Sequence, residues 1–133
     1  MADSPIPGFL VAISFGSGIL LIALAVPLWL RRIPPNLLYG VRFQSTLADN
    51  AVWYEINAMA GRNLVVIGCG YLLLLALALS LGHTWSWPIR LLVPTALLVI
   101  ALIINTFLLH AAGRRLPATV TKADMSKDRR SAS

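Results

Sequence analysis

Apolar positions come in three unbroken runs, and nearly all charged side chains lie between or after them. Phe9–Leu30 holds 22 residues without a charge, Leu64–Leu81 holds 18, and Leu91–Ala112 is uncharged throughout. A helix needs about 20 apolar residues, rising about 1.5 Å each, to cross a hydrocarbon core of about 30 Å. The runs therefore predict three membrane spans over 9–30, 64–81 and 91–112. A cleaved signal peptide would need a basic leader and a shorter apolar stretch than Phe9–Leu30 provides. Ser14, Gly16, Ser17, Gly18, Gly68 and Gly70 are small enough to let helices approach closely in lipid. Pro27 falls in the last turn of the first span and Pro94 in the first turn of the third, where a missing N–H costs little. Trp85 and Trp87 suit a membrane–water interface.

The polar stretch 33–62 between the first two runs is too long to be only a turn. Pro34-Pro35 forbids helix and favours an extended path, and Tyr39-Gly40 reads as a turn. Thr46-Leu47-Ala48-Asp49 has capping-box spacing. Nothing after it breaks a helix as far as Ala60, so the pattern predicts an amphipathic helix from Thr46 that lies at the interface or leads straight into the second span. On it Asn50, Trp53, Asn57 and Gly61 fall three or four residues apart, on one stripe. One reading is a membrane-skimming helix anchored by tryptophan with its asparagines toward water. The other is a polar cluster formed with Arg42, whose guanidinium can grip a phosphate or a carboxylate with two hydrogen bonds.

Composition agrees with a membrane protein. The 133 residues are 58% hydrophobic and 12% charged, against about 45–50% and about 25% in soluble domains. The net charge of +6 is uneven. Arg31, Arg32, Arg42 and Arg62 lie in the first connection, six Lys or Arg follow Gly113, and the second connection has Arg90 alone. The positive-inside rule then places the N-terminus outside and the C-terminus in the cytoplasm. Residues 1–112 form a single membrane domain, and 113–133, too polar to bury a core, form a disordered basic cytoplasmic tail. The tail has no aromatic side chains on which bases could stack, which argues against a nucleic-acid partner. Cys69 and two histidines make no metal-ligand pattern, Asp49 and Glu55 are spaced for different helix faces, and no nucleophile–base pair appears. The expectation is a protein that is not an enzyme and has no cofactor. Asn105 lies deep in the third span and needs a hydrogen-bond partner on another helix.

The first connection resembles the signature of the SdpI family of bacterial membrane proteins. Ile33-Pro34-Pro35-Asn36, Tyr39-Gly40, Arg42, Thr46, Trp53, Asn57 and Gly61 stand in the family's order between two spans, and Asn50 and Arg62 agree with it. The resemblance implies an all-α, multi-pass protein of the bacterial cytoplasmic membrane, corresponding to the core three-span unit of longer members. It implies immunity to a secreted antimicrobial peptide, and a link to sequestering a transcriptional regulator at the membrane. Asn36, Tyr39, Arg42, Thr46, Asn50, Trp53 and Asn57 are then the expected binding residues, with Pro34, Pro35, Gly40 and Gly61 shaping the backbone. Membrane lipids, a toxin peptide, a cytoplasmic regulator, a larger membrane complex or further copies of the chain are the expected partners. Two other readings fit the sequence: a small oligomeric transport or lipid-handling protein, and an accessory subunit of a larger complex.

Overall fold

A computed structural model describes residues 7–131 except 83, with side chains described through 115 except 45 and 48. It is all-helical over the described residues: α1 (Gly8–Trp29), α2 (Gln44–Ala48), α3 (Asn50–Leu81) and α4 (Trp87–Ser131). Three stretches are long and apolar enough to cross a membrane, Gly8–Trp29, Asn50–Leu81 and Trp87–Arg115. Their outward faces stay apolar; Phe107, for example, is 72% exposed. No aqueous surface tolerates that much uncovered hydrocarbon, whereas lipid does.

The central helix is α3, with α1 packed along one side and α4 along another. Its 32 residues make a rod of about 48 Å, longer than a bilayer core of about 30 Å. The surplus is its N-terminal part. Of the two expectations for the segment after Thr46, the structure has the one that leads straight into the second span: short α2 is followed by the first turns of α3, which run on unbroken. The expected cap is three residues off. Asp49, not Thr46, starts the long helix: its carboxylate accepts hydrogen bonds from the backbone N–H groups of Ala51 at 2.7 Å and Val52 at 3.4 Å. Thr46 is committed elsewhere. Its hydroxyl accepts from Phe43 N–H at 2.9 Å and lies 2.9 and 3.1 Å from the carbonyls of Phe43 and Val41, to either of which it donates.

The seam between α1 and α3 is made by glycines. A Cβ on Gly18 would sit 2.9 Å from the Tyr71 ring, and one on Gly68 would sit 2.7 Å from Ile22. At Gly61 the obstacle is backbone: a Cβ would collide with Trp29 N and stand 2.6 Å from Ala25 O. The pairs 18/71, 22/68 and 25–29/61 run antiparallel, so α1 ends level with Gly61 and the first eleven residues of α3 project past it. There the chain turns sharply. Arg31 adopts φ +55°, Arg31 N–H donates to Leu28 O at 3.0 Å, and Arg32 N–H donates to Pro27 O at 3.0 Å. That double bond pattern closes a helix with a left-handed residue just beyond it, here an arginine in place of the usual glycine, at a cost of about 1 kcal/mol.

The α4 backbone remains helical through Ser131, where composition predicts no fixed structure. Once a helix exists, extending it carries no new nucleation cost. Residues 132–133 of the expected disordered tail lie outside the described residues.

Candidate functional site

The projecting turns of α3 would be bare on the side that α1 leaves. Residues 33–43 cover them. After Pro34-Pro35, Asn36 ties the loop to itself: its Oδ1 accepts from the N–H groups of Leu38 at 2.9 Å and Tyr39 at 2.7 Å, and its Nδ2 donates to Pro34 O at 2.8 Å. This local side-chain turn is a habit of asparagine. It leads into Gly40, whose φ of +108° suits glycine alone. A Cβ there would stand 3.3 Å from the Trp53 ring and would strike the Asn57 amide.

Two α3 side chains then pin the loop. Trp53 is fully buried and its indole Nε1–H donates to Ile33 O at 3.0 Å. Asn57 is also buried; its Oδ1 accepts from Val41 N–H at 2.6 Å and its Nδ2 donates to Trp53 O at 3.0 Å, with Val41 O at 3.4 Å. Trp53, Asn57 and Gly61 thus keep the expected stripe, with Trp53 and Asn57 against the inside of the cap and Gly61 against α1. The amide of Asn57 has its hydrogen-bonding capacity used by the backbone. Thr46 locks the next turn in the same manner, and the Phe43 ring meets His110 of α4 edge-on, 5.0 Å between centroids. The cap therefore touches both long neighbours.

Other expected site residues lie apart. Arg42 does not join Asn57; its exposed guanidinium turns back to donate to Leu37 O. Asn50 is exposed at the first turn of α3. Tyr39 is partly covered, with its hydroxyl oxygen enclosed and without a partner among the described residues. Burial pushes its phenol pKa up, since loss of water penalises the charged form. What the cap presents outward is apolar: Leu37 is 71% exposed and Leu38 94%, beside Arg42.

Three contacts go beyond the expectations drawn from the sequence. The partner of Asn105 is Asn63, whose Nδ2 donates to Asn105 Oδ1 at 2.9 Å. Arg31 pairs with Glu55 at 2.7 Å across the α1–α3 junction. Arg114 donates to His110 Nε2 through Nη2 at 2.8 Å and Nε at 3.1 Å. The last is a four-residue helical spacing and was readable; the other two link residues 42 and 24 apart, where spacing carries no signal.

With that geometry in place, comparison with known proteins adds one match. The SdpI/YfhL protein family matches residues 32–107, from the turn after α1 well into α4. No curated protein and no solved structure matches the chain.

Proposed function

Because this chain belongs to the SdpI/YfhL protein family, we propose that it gives immunity to a secreted antimicrobial peptide, acting by binding in the bacterial cytoplasmic membrane and not by catalysis. The observation that carries this reading is the cap. Asn36, Thr46, Trp53 and Asn57 hydrogen-bond its backbone at several points, so the loop holds its shape, and it displays two leucines and an arginine outward. An amphipathic peptide offers the complementary features, an apolar face and a carboxylate. The leucines receive the former, and Arg42 pairs with the latter through a charge-assisted bond. Preorganisation matters, because a loop already ordered loses little entropy on binding.

The arginine distribution supports an external N-terminus and a cytoplasmic C-terminus. That orientation sets the cap on the cytoplasmic side, where it meets peptide that has entered the membrane. The basic segment after α4's apolar part is then free to engage anionic lipid or a cytoplasmic regulator.

The test is survival of a toxin-sensitive bacterium expressing the wild type or Arg42→Ala at matched membrane levels. Protection by the wild type and not by the variant is expected. Equal protection by both would remove Arg42 from the site, and no protection by either would overturn the immunity reading.

A further inference from the structure

Two cavities meet at a single side chain, Arg62. One, of about 270 Å³, lies at the α1–α3 junction and is predominantly polar, lined by Trp29, Arg31, Glu55 and Met59 as well as Arg62. The other, of about 540 Å³, is an open trough between α3 and α4, lined by Arg62, Asn63 and Asn105 and by apolar side chains that include Val66, Ile67 and Ile104. Arg62 immediately precedes the apolar run of α3, so the polar cavity stands at the level where a bilayer's headgroups begin. Val66 and Ile67 lie one turn deeper on α3, and Ile104 and Ala101 lie deeper on antiparallel α4 than Leu108. The trough therefore leads from the arginine toward the middle of the membrane.

Charge at the head end is unbalanced. Arg31 is neutralised by Glu55 at 2.7 Å, whereas Arg62 makes no ion pair or hydrogen bond among the described residues. Two guanidiniums against one carboxylate leave a net charge of one cation. Between head and tail sits the Asn63–Asn105 pair. Asn63 Nδ2 already donates to Asn105 Oδ1, and Asn105, which lines the trough, has an Nδ2 with no acceptor among the described residues.

We propose that this composite groove holds one anionic phospholipid. Arg62 grips the phosphate, Asn105 Nδ2 donates to a glycerol ester carbonyl, and an acyl chain lies along Val66, Ile67 and Ile104. The sequence of donors and apolar surface follows the lipid's own order of phosphate, ester and hydrocarbon. A soluble phosphate would use only the head end, and a helix of a second copy would leave Arg62 unmatched. The site is separate from the cap and does not rest on the immunity reading.

The experiment uses the full chain in nanodiscs of phosphatidylcholine with a minor fraction of phosphatidylglycerol. Native mass spectrometry after transfer to mild detergent counts the lipids that stay bound. The wild type should retain one phosphatidylglycerol, Arg62→Gln should lower retention about tenfold, as loss of a charge-assisted bond implies, and Arg62→Lys should recover part of it. Ile104→Trp, which fills the trough and leaves the arginine alone, should also reduce retention. Wild-type retention in both Arg62→Gln and Ile104→Trp would overturn the proposal. So would equal retention of both lipids, glycerol 3-phosphate binding as tightly as phosphatidylglycerol, or a lipid-free dimer. Should Arg62→Gln fail to fold, the Arg62→Lys and Ile104→Trp comparison decides alone.

Discussion

The central helix meets its two neighbours by opposite means. Along α1 the contact is steric: an added methyl group would meet α1 backbone at Gly61 and closely packed side chains at Gly18 and Gly68. Along α4 the contact is polar and looser, with one amide pair in an open trough of about 540 Å³. In lipid there is no hydrophobic gain from bringing apolar helices together, so association rests on packing and on hydrogen bonds. The first seam uses packing and leaves space only at its polar end, beside Arg31 and Glu55. The second uses a hydrogen bond and leaves a groove. The cap extends the tight side, since its loop stands where α1 stops and covers the α3 turns that α1 does not reach. Close packing therefore collects on the α1 side with the candidate toxin surface, and the larger room for a ligand lies on the α4 side.

The comparison breaks most visibly at Gly61. Gly61→Leu drives a side chain into Trp29 and Ala25 backbone and should destabilise the bundle by about 3 kcal/mol, read as loss of monodisperse protein on fluorescence-detected gel filtration. Gly70→Ala, where the added Cβ meets nothing within 4 Å, should be neutral in the same assay. Loosening at both positions equally would remove the distinction between seam and surface.

Next is the pin of the cap. Asn57→Ala strands Val41 N–H and should cost about 2 kcal/mol. Faster amide hydrogen exchange confined to residues 37–43 would report it, while unchanged exchange would show that the loop is held by other bonds. Tyr39→Phe acts in the other direction. Removing an enclosed hydroxyl without a partner should stabilise by about 1 kcal/mol. The pH dependence has a definite sign. The folded-state pKa is raised, so the neutral phenol's advantage holds below the ordinary value of about 10 and is lost as pH climbs through it and the higher folded value. Wild-type thermal stability should fall in that alkaline range more than that of Tyr39→Phe.

The smallest effect belongs to the loose side. Asn105→Ala should cost only about 0.6 kcal/mol, the usual worth of an interhelical hydrogen bond in lipid. Asn63→Ala should cost the same, and the double variant little more, as a thermodynamic cycle would reveal. A loss as large as that of Gly61→Leu would mean that the α3–α4 seam is as tight as the other.

Much of this was legible in the sequence because bilayer thickness is a strong ruler. The three spans follow from run length alone, Gly40 from the turn, and the stripe of Trp53, Asn57 and Gly61 from helical spacing. Hydropathy, however, marks where apolar residues end and not where a helix ends. The polar start of α3 hence fits an interfacial helix and an extension of the second span equally well. Thr46 and Asp49 both carry oxygen acceptors suited to capping, and only the loop's own need for Thr46 assigns the cap to Asp49. The stripe's direction was hidden for the same reason: asparagine beside tryptophan fits a wet face and a backbone pin equally well, until Gly40 and Val41 are placed against it. Long-range partners such as Asn63 with Asn105 have no sequence signature.

The most direct test sets the two asparagines against each other in a survival assay. Cells sensitive to the peptide toxin would express Asn57→Ala or Asn105→Ala at membrane levels matched to the wild type. If the pinned cap is the protective surface, Asn57→Ala loses protection and Asn105→Ala keeps it. Protection kept by Asn57→Ala and lost by Asn105→Ala would contradict the account and move the activity into the α3–α4 groove.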